Sequence, residues 1–277
     1  MLSFRAVVQA VISPVSILVI LNSRRIHPAY KMTWRKKLIL GWRLIWNKRR
    51  IPTATDAKVH LAMALKLLEM PPTQPGVVVE CGTFKGGTAA NLSVICSLVG
   101  RELFVFDSFE GLPQGAPSDR ESQHYNKGDW AGTFDEVVNN IKKFGEISRC
   151  TLVRGWFDKT LPSFDREIAL AYVDVDLEAS LDTCIKNIWP RLSESGFIFI
   201  DECISTDYCS LFYSERWWMK NYNRTPPGLV GAGTGLPLGD FYVGPGDEMS
   251  DHPRHHASSG AYTSKRMSGC WTYYPDN

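Results

Sequence analysis

VVVECGTFKGGT, residues 77–88, is the stretch that decides the fold of this chain. Three valines and Glu80 predict a short buried strand, and the glycines that follow predict a sharp turn into a helix. A strand that is almost entirely apolar has both faces covered, which is typical of a parallel sheet between two layers of helices. This stretch therefore predicts an α/β fold.

The same alternation of strand and helix continues along the body of the chain. The predicted strands are 77–80, 103–107, 151–154, 169–174 and 197–201, and the predicted helices are 55–70, 88–99, 134–144 and 181–192. Alternating elements of this kind form a doubly wound, mostly parallel sheet. Ligands of such sheets bind beyond the carboxyl ends of the strands, so we expect the site there.

The first 50 residues differ from the rest of the chain in charge. They contain eleven of the 31 Lys and Arg residues and no Asp or Glu, which leaves 20 basic and 29 acidic side chains in residues 51–277. The excess of acidic side chains in residues 51–277 argues against a nucleic-acid partner, because it would repel phosphates. Seven cysteines without a Cys-x-x-Cys pair predict free thiols and a reducing compartment.

This basic segment, residues 1–50, is expected to be an arm on the α/β domain, which spans residues 51–277 with a long insertion at about 203–270. Residues 6–23 carry no charge, and residues 32–50 alternate Trp, Leu and Ile with Lys and Arg. That pattern suits a helix lying on anionic lipid, with the domain at the cytoplasmic face of the membrane. The alternative is an arm of helices packed against the domain or a sister subunit, and homo-oligomerisation is left open.

The turn after the first strand is the first candidate binding motif. Its spacing, E-x-G-x-x-x-G-G, differs from the dinucleotide fingerprint G-x-G-x-x-G. The acid suits a ligand with an ammonium group, and the helix amino terminus that follows suits a carboxylate. S-adenosylmethionine carries both groups, whereas a purely structural glycine turn is the alternative. The candidate residues are Glu80, Gly82, Thr83, Phe84, Gly86 and Thr88.

Two further strand ends extend this candidate site. Asp107 follows the second strand, 21 residues after Gly86, at the distance where an acid chelates ribose hydroxyls. With Ser108 it is assigned to the cofactor, although such an acid is also often a turn cap. Gly155, Trp156 and Phe157 follow the third strand, where aromatic faces would flank a purine or, alternatively, belong to the core.

Acidic residues end two neighbouring strands: Asp174 and Asp176 on one, Asp201 and Glu202 on the other. Repulsion between two carboxylates at ~4 Å costs about 4 kcal/mol, so a cation or basic side chains must compensate. Hard oxygen ligands favour Mg²⁺, Mn²⁺ or Ca²⁺. A cation lowers the pKa of an acceptor hydroxyl, and Asp174, which is also assigned to the cofactor site, is the first candidate for the base. Structural caps or salt bridges are the alternative.

Together these motifs resemble the macrocin O-methyltransferase family, which methylates sugar hydroxyls. The matching segments are residues 80–88, 106–113, 155–157, 160–162, 174–177 with Ser180, 189–192 and 196–202. The resemblance implies a seven-stranded class I methyltransferase sheet, with 269–274 as the last strand, S-adenosylmethionine as cofactor, and Mg²⁺ held by Asp174, Asp201 and Glu202. Glu202 replaces the family's usual Asp, and Leu177-Glu178 replaces a usual aromatic-acid pair.

The segment 203–270 is longer than the family's usual connection. It contains His252, His255 and His256, and we expect a substrate lid in which His255 or His256 accepts a proton. A solvated loop is the alternative, and a zinc site lacks a fourth ligand.

The sequence thus predicts methyl transfer from S-adenosylmethionine to a sugar or glycan hydroxyl, with the glycan lipid-linked or presented at a membrane. A catechol-like or other small-molecule hydroxyl is the second acceptor class. A non-catalytic membrane-bound scaffold with a vestigial cofactor site is an alternative of another kind. A nicotinamide oxidoreductase has the wrong glycine spacing.

Overall fold

A computed structural model describes residues 17–18, 20–55, 57–115, 125–201, 206–229 and 261–267. Its sheet has six strands in the order β3-β2-β1-β4-β5-β6. The strands are β1 Val77–Cys81, β2 Leu103–Asp107, β3 Cys150–Arg154, β4 Ile168–Val173, β5 Leu192–Ile200 and β6 Ala261–Thr263. The sequence order reverses at β1, where β2 lies on one side and β4 on the other, and this is the position at which doubly wound sheets bind ligands.

Strand pairing confirms the mostly parallel sheet. The strands β1 to β5 pair in parallel with their neighbours, whereas β6 runs antiparallel to β5. The expectation of seven strands is corrected to six among the described residues. The antiparallel edge strand there is Ala261–Thr263, in the insertion, and the predicted last strand 269–274 lies outside the described residues.

Helices alternate with these strands as the apolar periodicity predicted. They are α1 Trp34–Arg50, α2 Ala57–Glu69, α3 Gly87–Val99, α4 Phe134–Phe144, α5 Phe157–Thr160, α6 Glu178–Arg191, α7 Thr206–Ser210 and α8 Glu215–Tyr222. Short 3-10 turns cover Pro28–Tyr30, Ile147–Arg149, Leu211–Tyr213 and Lys265–Met267. Local chemistry sets the ends: the Thr133 hydroxyl accepts from the Glu136 N–H at the start of α4, and Gly100 ends α3 in the left-handed conformation.

Alternate residues of the strands enter two separate hydrophobic clusters. Val78 belongs to the cluster formed with α2 and α3, and Val77 and Val79 belong to the cluster formed with α6 to α8. Because successive strand residues point to opposite faces, both faces of the sheet are covered. This confirms the doubly wound arrangement.

Helix α1, the longest described element of the basic arm, packs on the first of these clusters. Its Leu40 and Leu44 are buried with side chains of α2 and α3, while Ile17 and Ile45 form a small cluster with Ala57. Within the described ranges, no helix is both long and apolar enough to cross a membrane. Most of the uncharged run 6–23 lies outside those ranges.

Candidate active site

A pocket lies at the carboxyl ends of β1 to β4, where the polar motifs were expected to meet. The structure brings eleven of the twelve predicted cofactor residues to its wall: Glu80, Gly82, Thr83, Phe84, Thr88, Asp107, Ser108, Gly155, Trp156, Phe157 and Asp174. The twelfth, Gly86, is absent from the lining and instead caps α3 in the left-handed conformation. Motifs from four strands therefore form a single site.

The glycine turn allows β1 and β4 to approach each other beyond their paired residues. Gly82 has φ +82°, and a Cβ there would collide with the carbonyl oxygen of Asp174. The backbone N–H of Asp174 donates to the carbonyl of Cys81 at 2.9 Å, which continues the pairing of the two strands to the pocket edge. Only glycine fits this position without displacing Asp174.

Glu80 is a fully buried carboxyl at the pocket wall. Neither of its carboxylate oxygens has a hydrogen-bond partner among the described residues. Burial raises its pKa well above the ordinary value, and the nearby Asp107 raises it further. The Thr83 hydroxyl and the Ala89 N–H lower the pKa, although neither is in hydrogen-bonding geometry. A buried carboxyl of this kind is satisfied by a ligand cation, as the ammonium group predicted for this position would be.

Asp107 connects the turns that follow β1 and β2. Its Oδ2 accepts from the Thr83 N–H and its Oδ1 from the Phe109 N–H, each at 2.7 Å. Burial raises its pKa, and these two N–H groups with that of Phe84 oppose the rise. The turn-cap role and the ribose role are compatible, because each carboxylate oxygen has a second lone pair and Asp107 lines the pocket.

Aromatic side chains form another part of the wall. Phe84 and Trp130 meet edge to face with ring centroids 5.4 Å apart. Both have positive φ, 49° and 57°, as does the pocket residue Asp176 at 57°. A Cβ on Gly132 would collide with the Phe84 carbonyl, so the two loops are in close contact. Non-glycine residues with positive φ are uncommon, and their concentration at a pocket is typical of functional sites.

The structure brings two residues of the predicted acidic constellation to one tyrosine. The Tyr172 hydroxyl lies 3.1 Å from Asp174 Oδ2 and 2.8 Å from Asp201 Oδ1, so the two carboxyl groups flank one hydroxyl. Asp174 lines the pocket, whereas Asp201 is 1% exposed and lies behind it. Since a phenol has one hydrogen, Tyr172 donates to only one of these carboxylates at a time.

The remaining predicted metal and catalytic residues, Glu202, His255 and His256, lie outside the described residues. In the part of the chain that the structure covers, no group of three or more His, Cys, Asp and Glu side chains could hold a metal ion. The described part of the acidic site therefore consists of Asp174 and Asp201 with their shared tyrosine, and of Asp176, which lines the pocket.

A buried chain of polar side chains runs from α1 toward these acids. Asn47 Nδ2 donates to Asn91 Oδ1 at 2.9 Å. Asn91 Nδ2 donates to the Leu44 carbonyl and pairs with His60 Nδ1 at 2.8 Å. Because the Asn91 amide is the donor, His60 Nδ1 accepts and Nε2 carries the hydrogen. Burial, with a smaller contribution from Lys48, lowers the pKa of His60 to about 3, so its ring is neutral near pH 7.

The chain continues from His60 to the carboxylates. His60 Nε2 lies 3.0 Å from the Thr88 hydroxyl, which donates to Thr55 Oγ1 at 3.3 Å. The Thr55 hydroxyl is 2.9 Å from the Tyr172 hydroxyl. Because the Thr88 hydroxyl donates to Thr55, the Thr55 hydrogen is left for the Tyr172 oxygen or for Asp174 Oδ2 at 3.4 Å, and the Tyr172 hydrogen for a carboxylate. Helix α1, the cofactor turn and the acidic site thus share one hydrogen-bonded network.

Sequence reasoning missed several residues of this site. Thr53, Ala54 and Thr55 line the pocket although they precede the α/β motifs, and no local pattern signals this. Tyr125 and Trp130 also line it. Only Trp130 carried a signal, as a lone tryptophan in the turn-forming run Lys-Gly-Asp-Trp-Ala-Gly.

Comparison with solved structures supports the same architecture. The chain is similar to the O-methyltransferase NovP, with a TM-score of 0.57 and 19% identity, over 93% of this chain and 99% of that one. At this identity the likeness concerns the fold. Fold and site together define the chain as a protein of class I methyltransferase architecture. The chain belongs to the macrocin-O-methyltransferase (TylF) family, whose model matches residues 66–223.

Two relatives are named as O-methyltransferases. One, from Streptomyces olivaceus, is 8-demethyl-8-(2,3-dimethoxy-alpha-L-rhamnosyl)-tetracenomycin-C 4'-O-methyltransferase, with 35% identity over 138 residues, 46% of this chain and 53% of the relative. The other, from Streptomyces niveus, is demethyldecarbamoylnovobiocin O-methyltransferase, with 28% identity over 145 residues, 49% of this chain and 55% of the relative. The chain spans about half the length of these relatives.

Proposed function

We propose that the protein transfers the methyl group of S-adenosylmethionine to a hydroxyl of a sugar in a glycoside or glycan. One observation carries the proposal: the family match, residues 66–223, runs through most of the pocket wall. The sugar is favoured over a catechol because the relative from Streptomyces olivaceus is named for methylation of a rhamnosyl compound.

The residues at the pocket fit the proposed cofactor. Glu80 offers an unsatisfied buried carboxyl for its ammonium group, and the amino terminus of α3 is suited to its carboxylate. Asp107, Trp156 and Phe157 also line the pocket; Asp107 would accept from the ribose hydroxyls, and the two aromatic side chains would flank the purine. When bound, this cofactor supplies an electrophilic methyl group on a sulfonium.

A divalent cation held by Asp174, Asp201 and Glu202 belongs to the same proposal. Two features of the described residues support it: the donors are hard oxygens, and two carboxylates flank a hydroxyl that donates to one at a time. Such a cation would lower the pKa of an acceptor hydroxyl. Asp174 lines the pocket, and we assign to its carboxylate the role of taking the proton of that hydroxyl.

The test is a direct assay of the full chain with S-adenosylmethionine and either a rhamnoside or a catechol, read by mass spectrometry as the gain of one methylene. We expect product from the rhamnoside, loss of turnover after chelation and recovery with Mg²⁺. Asp174→Asn should reduce turnover at least about a hundredfold. The matched control is Asp165→Asn, an exposed acid outside the pocket lining. Transfer to the catechol alone would refute the acceptor class, and turnover unaffected by chelation would refute the cation.

A further inference from the structure

Helix α1 carries a row of large apolar side chains on its outer face. Trp34 is 62% exposed, Ile39 67%, Trp42 44% and Trp46 47%. Ile39, Trp42 and Trp46 are separated by three and four residues, so they lie along one side of the helix. These three residues, with Trp34 at the amino end, form what we call the outer stripe. Exposed apolar residues in a contiguous row mark an interaction surface.

The orientation of this stripe is fixed by the opposite face of α1. Leu40, Leu44 and Asn47 are buried, and Asn47 donates to Asn91 and to the Phe144 carbonyl. Rotation of the helix to bury its tryptophans would break these bonds and expose two leucines. The folded protein therefore presents the outer stripe to its surroundings.

Basic side chains flank both ends of the stripe. Arg35 and Lys36 are exposed at the amino end of α1, and Arg49 and Arg50 at the carboxyl end. The Arg50 guanidinium lies 5.2 Å from the Trp46 ring centroid. No Asp or Glu occurs in the first 50 residues. The surface thus combines an apolar centre with a positive rim.

We propose that the outer stripe of α1 docks along an anionic lipid surface, with the helix parallel to the membrane. Tryptophan and isoleucine enter the boundary between headgroups and acyl chains, while arginine and lysine contact lipid phosphates. Charge complementarity selects this occupant over a second copy of the chain. Two copies facing each other would bring like-charged rims together, which is unfavourable.

Docking of α1 on lipid would bring one edge of the pocket wall near the membrane. Thr53 begins the pocket lining only three residues after Arg50 ends α1. If the proposed methyl transfer holds, the favoured acceptor is a glycan carried on a lipid, and this consequence rests on that proposal. Lipid binding is measured without catalysis, so the docking proposal and the methyl-transfer proposal can be refuted independently.

The experiment is co-sedimentation of the full chain with vesicles of phosphatidylcholine alone or with about 30 mol% phosphatidylglycerol. We expect binding to the anionic vesicles that weakens with salt. The double variant Trp42→Ser/Trp46→Ser should lose about tenfold or more in apparent affinity. Its matched control is Leu98→Ser/Met219→Ser, because these side chains are 44% and 43% exposed on other helices. The control should bind as the wild type does.

Charge and folding are tested separately. Arg49→Glu/Arg50→Glu should abolish the preference for anionic vesicles, whereas Lys142→Glu/Lys143→Glu, exposed on α4, should keep more of it. Quenching of tryptophan fluorescence by brominated lipid, relieved in the Trp42/Trp46 variant, reports insertion in protein whose thermal unfolding is unchanged. The proposal would be overturned if the wild type did not bind, or if the Trp42/Trp46 variant and its Leu98/Met219 control bound equally. It would also be overturned by self-association that is lost with Trp42 and Trp46, or by retention on single-stranded nucleic acid instead of vesicles.

Discussion

Replacing Tyr172 by Phe removes one buried oxygen and leaves the ring in place. Tyr172 is fully buried, so water cannot substitute for its hydroxyl. The variant loses the contacts to Asp201 at 2.8 Å, to Asp174 at 3.1 Å and to Thr55 at 2.9 Å. A hydrogen bond to a charged group contributes about 1.5–3 kcal/mol, and Asp201, which is 1% exposed, would lose a donor where water is excluded. We therefore expect a loss of about 3 kcal/mol in the free energy of unfolding.

The assay is urea unfolding of Tyr172→Phe beside Tyr222→Phe. Tyr222 donates to the neutral Ile185 carbonyl at 3.1 Å, away from the pocket, so its variant should lose about 1 kcal/mol. The 3 kcal/mol loss would lower the Tm by about 6–12 °C in a chain of this size. If Tyr172→Phe is as stable as the Tyr222 variant, the Tyr172 hydroxyl does not hold the two carboxylates.

Three other predictions follow from buried groups and from the glycine turn. Because the pKa of Glu80 is raised in the folded state, the contribution of Glu80 to stability is complete below about pH 4.3 and declines as pH rises. Glu80→Gln should therefore be at least as stable as the wild type in urea at pH 8, yet bind S-adenosylmethionine at least about tenfold more weakly by calorimetry. An unchanged affinity would refute the ammonium role. Because the pKa of His60 falls to about 3, the free energy of unfolding of the wild type should fall by about 1.4 kcal/mol per pH unit as pH falls below 6.5. In urea titrations at several pH values, this dependence on pH should be shallower in His60→Gln. Equal slopes would contradict a neutral buried ring. Gly82→Ala should cost at least about 3 kcal/mol more than Gly100→Ala, because both have positive φ but only the Cβ at 82 collides; similar melting temperatures of the two would contradict the close approach of Asp174.

The fold was predictable because it depends on local patterns. Helix α4 occupies residues 134–144 as predicted, since its apolar spacing, its Thr133 cap and the glycine after it agree. Strand β2 also has its predicted bounds. Element ends shifted where tertiary contacts decide them. Strand β5, for example, begins at Leu192 instead of 197, because its first residue pairs with Ile168 of β4 beyond an irregularity in register.

The site was predictable only where a motif marks a strand end. Glu80, Asp107 and Asp174 each follow an apolar run, and the parallel sheet brings such ends together. Thr55 and His60 had no comparable signal, because their role depends on contacts 28 to 119 residues distant in sequence. Short-range patterns contain no information on which distant hydroxyl completes a network.

The two faces of α1 decide how the basic arm must be tested. Deletion of residues 1–50 would seem the natural experiment, but it would remove Leu40 and Leu44 from the core and Asn47 from Asn91. Loss of several buried leucine-sized side chains costs about 2–5 kcal/mol each, a large part of the stability of a domain. An inactive deletion would therefore say nothing about lipid. Substitution of the outer stripe leaves the buried face of α1 intact. Such variants therefore separate the contribution of α1 to folding from its contact with lipid.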